Sequence, residues 1–238
     1  DDVEALSLPT PLSAWPGLAE FASIEVVELP DGLRPIRPTA SDHPATRAFL
    51  ARCCGILIAS EADLNALDAQ AGDGDTGSTL AGAARALIEA MDRLPLSDHT
   101  QLYRAIGLEL SETMGGSSGV LLALFFAAAG DAASSGMPLR EALSVGLERM
   151  QQIGGAHEGD RTMIDALKPA LAALADDMGA AAKAARAGAN ATAQMARANA
   201  GRSAYLNADQ LLGHIDPGAE AVARLFEHLE SEMVDLRP

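Results

Sequence analysis

An all-α fold, a closed antiparallel barrel or bundle of about eight helices behind an extended N-terminal arm, is what this sequence predicts. Three observations carry that prediction. Alanine is abundant while aromatic residues make up only 3% of the 238 residues, which favours closely packed helices. β-Branched residues are thin beyond the first 40 positions. Apolar residues then recur at three- and four-residue spacing between short, glycine-rich polar turns.

Residues 1–40 stand apart. They hold Pro9, Pro11, Pro16, Pro30, Pro35 and Pro38, half of the twelve prolines, around one alternating stretch, Ser23–Leu29. This composition predicts a linker or docking arm, with Trp15, Phe21 and Leu29 as its apolar anchors. The helical domain, 41–238, opens at Ser41-Asp42-His43-Pro44, a polar start with proline in the first turn. A first helix is expected to reach Ala59 and to continue or restart at Ser60-Glu61-Ala62-Asp63, which has the form of a capping box. Leu80, Ala84, Leu87, Ile88 and Met91 mark a second helix over about 78–93. Leu102, Ile106, Leu110 and Met114 mark a third over about 98–114. The fourth starts at Ser117 and is apolar all round from Val120 to Phe126, so it is expected to be central. A fifth spans about 138–152. The sixth and seventh, about 161–178 and 179–199, are separated only by a glycine, and the alanine-rich seventh should pack tightly on a neighbour. Asp216-Pro217, an N-cap followed by proline, opens the eighth.

Charge and cysteine content narrow the function. A formal charge of −16 argues against nucleic acid, whose phosphates need a basic face. The adjacent Cys53 and Cys54 have no metal-spaced partners and read as small buried apolar groups in a reducing compartment. The run Val120–Ala129 is too short to cross a bilayer, and the acidic start shows no signal peptide. A cytoplasmic, membrane-free protein is therefore expected. The missing initiator Met suggests a processed chain or an excised domain.

Chemistry concentrates in Asp68-Ala69-Gln70-Ala71-Gly72-Asp73-Gly74-Asp75-Thr76-Gly77-Ser78-Thr79, a turn between two helices. Asp73 and Asp75 are two apart and can face one side, with Asp68 reaching over from the preceding helix. Three carboxylates that close repel unless cations lie between them. Hard oxygen ligands suit Mg²⁺ or Ca²⁺. An EF-hand counted from Asp73 would need an acidic residue where Ala84 stands, so Mg²⁺ with substrate phosphates fits better.

No Walker-type P-loop and no dinucleotide-binding glycine motif is present. Instead, polar glycine turns precede several helices. Gly115-Gly116-Ser117-Ser118-Gly119 and Gly74–Thr79 could each offer backbone N–H groups to a phosphate. Read alone, the first is a plain loop, Gly159-Asp160-Arg161-Thr162-Met163 is a capped helix start, and Arg202 is a surface arginine. His214 has no nucleophile partner and reads as structural. No catalytic triad is supported.

In this order, the motifs Leu64–Asp68 with Gly72–Gly77, Gly115–Gly119, Gly159–Met163, Gly201–Tyr205 and Asp216–Ala219 resemble the nucleotide-binding (L, or DAK2) domain of dihydroxyacetone kinases. The resemblance covers about residues 42–236, and the first 40 are similar to the linker of the single-chain, ATP-dependent members. It implies an eight-helix barrel binding ATP or ADP at one rim, with Asp68, Asp73 and Asp75 holding two Mg²⁺ ions. It places Thr76, Ser78, Thr79, Gly115, Gly116 and Ser117 at the phosphates. Gly154, Thr162, Met163, Arg202, Asp216 and Gly218 line the rest of the nucleotide site. The acceptor, dihydroxyacetone or a related short ketose, is expected on a separate K domain whose histidine holds it, so no catalytic residue is assigned in this chain. A homodimer is compatible with the sequence. The competing reading is a nucleotide-loaded regulatory or docking module without kinase activity of its own. A purely structural bundle would leave the three aspartates without a reason.

Overall fold

The computed structural model describes residues 37–235, with side chains through Ser231. The expectations for the arm before residue 37, and for Met233, lie outside the described residues. Every named element of the described part is helical; an isolated bridge between Ser41 and Pro95 is the one extended pairing among these residues.

The helices are α1 (Pro44–Ala59), α2 (Glu61–Ala71), α3 (Thr76–Ala90), α4 (His99–Thr113), α5 (Gly116–Ser134), α6 (Leu139–Gly154), α7 (Ile164–Ala173), α8 (Met178–Thr192), α9 (Ala208–Leu211) and α10 (Pro217–Asp235). Short 3₁₀ turns cover Met91–Arg93 and Arg202–Tyr205. Local chemistry explains the starts. The His43 side chain accepts from Thr46 N–H with Pro44 in the first turn of α1. Asp98 caps α4 by accepting from the N–H groups of Thr100 and Gln101.

The described residues form ten α-helices rather than about eight, because α2 is separate and α9 is extra, and one further boundary is displaced. Ser60 is helical in backbone and its side chain caps nothing, so α1 and α2 meet at a kink, not at a capping box. The break between α7 and α8 lies at residues 174–177, because Asp177 accepts from Ala180 N–H at 2.7 Å and starts α8 there, leaving Gly179 inside the helix. Helix α8 ends at Thr192, and the chain to Asp216 folds as turns plus α9, a single turn with a true capping box formed by Asn207 and Gln210.

Neighbouring helices close a ring: α1 packs on α3, α3 on α4, α4 on α5, α5 on α6, α6 on α7, α7 on α8, and α10 joins α7 and α8 back to α1 and α2. Two apolar clusters fill it. One gathers Leu64, Leu80, Leu102, Ile106 and Leu110 between α2 and α4; the other gathers Phe125, Leu147, Met150, Ile164, Leu171 and Phe226 between α5 and α10. Leu122 and Phe126 of α5 pack against both, so α5 is the shared wall expected from its apolar run. Its continuation through Ser134 also makes it the one helix among those described that is long and apolar enough, by length and composition, to cross a membrane. The ten-residue apolar run understated that length. The alanine-rich α8 packs as closely as predicted. A methyl at Gly188 would collide with the backbone oxygen of Asp165 on α7.

Of the two cysteines only Cys54 is buried, and burial pushes its thiol up to about 11; Cys53 is half-buried.

Candidate functional site

The acidic turn is built by its own first carboxylate. Asp68, in the last turn of α2 and 6% exposed, accepts the N–H groups of Asp75 (2.9 Å) and Thr76 (3.0 Å) on Oδ2. It thereby caps α3 from eight residues upstream of that helix's first residue, where the Asp75 side chain makes no cap. A Cβ at Gly72 would overlap Asp68 Oδ1, so glycine is required for the chain to pass. What remains is one oxygen from each of Asp68, Asp73 and Asp75, all within 4.8 Å of one another, with the last two carboxylates exposed. Oxygen-only donors at this separation fit a hard divalent cation. Arg202 forms an ion pair with Asp73 across the turn, bringing one positive charge to the cluster.

The turn opens onto a cavity of about 980 Å³. Its walls hold Asp68, Asp73, Asp75, Thr76 and Thr79 on one side, and Gly115, Gly116 and Ser117 from the start of α5. Gly154, Thr162, Met163, Arg202, Asp216 and Gly218 complete it. Residues from five separate sequence motifs therefore meet in one space. Gly116 takes φ +74, a conformation favouring glycine, and no side chain caps the start of α5. Ser78 is the predicted residue that does not line the cavity. Its hydroxyl accepts from Asn65 Nδ2 at 2.8 Å and donates to Glu61, while its N–H donates to Asn65 Oδ1. Helical spacing accounts for this, since Thr76 and Thr79 share a face that Ser78 does not.

The far wall carries a group that pattern reading passed over. Arg161 is 1% exposed and is the one non-glycine residue with positive φ (61°) among those described. Two carboxylates hold its loop. Asp165 accepts Gly159 N–H (2.6 Å) and Thr162 N–H (2.7 Å), and Asp160 accepts His157 N–H and the Asn199 amide. The bond from Asn199 keeps the Asp160 carboxyl below its ordinary range. Arg161 Nη2 donates to His214 O (2.8 Å) and more weakly to Leu211 O (3.4 Å). Beside it, Asp216 accepts Ala219 N–H at 2.8 Å as the N-cap of α10, and its own N–H donates to Thr192 Oγ1. Burial pushes the Asp216 carboxyl up to about 6, against the pull of that cap bond and of the Arg161 charge. His214 enters through its backbone carbonyl, in keeping with a structural role.

Comparison with known proteins rests on the same segments. The DAK2 domain model matches residues 70–231, which include every cavity motif but the first aspartate. The chain belongs to the DAK2 domain family. It is 48% identical over 201 residues to the dihydroxyacetone kinase of Citrobacter freundii, covering 80% of this chain and 36% of that protein. It is 36% identical over 251 aligned residues to the triokinase/FMN cyclase of Homo sapiens, covering 94% and 42%. The crystal structure of the native Citrobacter enzyme superposes with a TM-score of 0.76 at 42% identity, over 87% of this chain and 38% of that one. The same enzyme in complex with AMP-PNP and Mg²⁺ gives 0.74 at 40% identity, over 86% and 37%. This DAK2 chain thus spans about two-fifths of the length of these relatives, and their all-helical domain is its fold.

Proposed function

We propose that this chain is the nucleotide-binding part of a dihydroxyacetone-type kinase. It binds Mg·ATP and presents the γ-phosphoryl group to a short ketose held by the part of its relatives that it does not span. The observation that carries this reading is the convergence of three carboxylate oxygens within 4.8 Å on a cavity lined by phosphate-compatible glycine turns. A Citrobacter relative of the same fold was crystallised with AMP-PNP and Mg²⁺, which supports a magnesium nucleotide as the ligand.

The roles follow from position. Asp68, Asp73 and Asp75 hold the metal, two ions being the number we infer for a triphosphate. Bound Mg²⁺ supplies charge neutralisation at the phosphate oxygens. The uncapped start of α5 at Gly116 and Ser117, with Thr76 and Thr79, offers donors to those oxygens. Arg202 is the mobile counter-charge: paired with Asp73 here, it turns to the phosphates once a cation takes its place. Met163, Gly154 and Gly218 supply the apolar, close-fitting walls for the nucleoside. In the transfer, the bond from the γ-phosphorus to the bridging oxygen breaks, a ketose hydroxyl oxygen forms the new one, and its proton leaves to the acceptor-bearing part. The chain contributes positioning and electrostatics, which dominate phosphoryl transfer.

Thermal unfolding with ATP or ADP, in Mg²⁺ and then in excess EDTA, tests this reading. Ligand at a hundredfold excess over Kd stabilises by roughly 2.7 kcal/mol. A metal-dependent rise in Tm with both nucleotides is expected. No shift with either would overturn the assignment.

A further inference from the structure

Arg161 is the largest fully buried side chain in the described structure, and its Nε and Nη1 are the only buried side-chain nitrogen or oxygen atoms there without a hydrogen-bond partner. Its Nη2 alone is engaged, by the carbonyls that precede α10. A buried guanidinium with two idle donors is an expensive arrangement, because the desolvation is not offset by bonds. Burial accordingly draws its pKa below the ordinary arginine value, and Asp216 only partly counters this without bonding to it. The loop nevertheless enforces the placement. It holds Arg161 at positive φ with four hydrogen bonds accepted by Asp160 and Asp165. A strained backbone kept by several independent bonds, carrying an unsatisfied charge into a cavity wall, marks a position completed by a ligand.

We propose that Arg161 is a nucleotide-affinity residue: its unpartnered donors take an oxygen acceptor of the bound nucleotide, directly or through one trapped water. This rests on the nucleotide reading above and adds a residue and a wall to it. The acceptor is an oxygen of the phosphates or of the ribose, and both lie within one ligand. Arg161 lines the same cavity as Asp216 and Met163, so the ligand is bound between two charged poles, the metal turn and this arginine. The cation also offsets the negative charge that the phosphates and Asp216 bring together.

Calorimetry with Arg161→Met, an unbranched apolar side chain that ends where the guanidinium begins, tests the proposal. Mg·ADP, adenosine and Mg·pyrophosphate are titrated separately, and Mn²⁺ alone is followed by EPR. The variant is expected to lose at least about tenfold in Mg·ADP affinity, the usual worth of a charged hydrogen bond, while Mn²⁺ binding is unchanged. A parallel loss with pyrophosphate assigns the phosphates, and a parallel loss with adenosine assigns the ribose. Equal Mg·ADP affinity in wild type and variant overturns the proposal while leaving the nucleotide reading intact. Absence of binding in the wild type overturns both. Should Arg161→Met fail to fold, the Arg161 Nε–H resonance of ¹⁵N-labelled wild type gives the answer. A shift and slower solvent exchange on adding Mg·ADP are expected, and an unmoved, unprotected resonance overturns the proposal.

Discussion

Two charged regions of this helical ring are built from the same residue types and do opposite things. On α8 and α10, Arg186 bonds Glu227 at 2.7 Å through both Nε and Nη2 and also pairs with Glu220. Arg224 then bonds Glu220 (2.8 Å) and reaches Asp63 of α2 (2.8 Å). Glu220 is buried, and each of its oxygens has a cation. In the acidic turn, three carboxylates share one exposed arginine, and the wall across the cavity holds an arginine with two idle nitrogens. The first region is closed and the second is incomplete. The charges of the first region are satisfied within the chain, whereas Arg161 keeps two buried donors without a partner. Titration repeats the contrast. The Glu227 bond, outweighing desolvation, raises the Arg186 pKa and lowers that of Glu227, while burial lowers that of Arg161.

The largest effect should come from breaking the open region. Asp73→Asn removes one of the three clustered carboxylates and the partner of Arg202 without touching the Asp68 cap of α3. Metal-dependent nucleotide binding is expected to fall at least about a hundredfold, or 2.7 kcal/mol, with circular dichroism and the unfolding midpoint of the free protein unchanged. An unaltered Mg·ATP affinity would remove the turn from the site. The closed region should respond in the reverse sense. Arg186→Met strips Glu227 of its cation and Glu220 of one of two, and breaking a partly exposed network of this kind is expected to lower stability by about 2.5 kcal/mol. Urea unfolding measures it. Nucleotide affinity per folded molecule should not move, and a drop in affinity would mean that the two regions are coupled.

How much of this could be read in the sequence follows the same division. The ring was legible because α3, α4, α6 and α10 carry apolar stripes at helical spacing and each opens beside a glycine, a proline or a capping aspartate. The restart after Ala59 was legible too, but not its chemistry, because Ser60 keeps a helical backbone and its side chain forms no capping box. The α7–α8 boundary was misplaced because Asp177 outcompetes Gly179 as a start signal, a choice made by one cap bond. The acidic and glycine turns were legible as clusters. Arg161 was not, since its importance lies in a backbone angle and in absent partners; glycine at 159, held at φ +98, was the nearest available hint of an unusual turn. Ser78 could have been set aside from helical spacing alone.

The smallest effect sharpens the comparison at Asp216, a residue that belongs to both categories as a helix cap and a cavity wall. Its carboxyl, pushed up to about 6 from an ordinary 3.8, is protonated more readily folded than unfolded. A raised carboxyl pKa means the folded state binds the extra proton. Stability is therefore greatest below about 4 and is lost as pH rises through 6. Asp216→Asn keeps an acceptor for Ala219 N–H and removes the titration. Between pH 4.5 and 7.5 the wild type should lose about 2 kcal/mol relative to this variant, at 1.36 kcal/mol per pKa unit. Paired urea melts across that range measure the difference. A flat difference would show that Arg161 already compensates Asp216 fully, which would place that pair with the closed network on α8 and α10 and not with the site. A sloping one keeps both residues among the groups whose charge is completed from outside the chain.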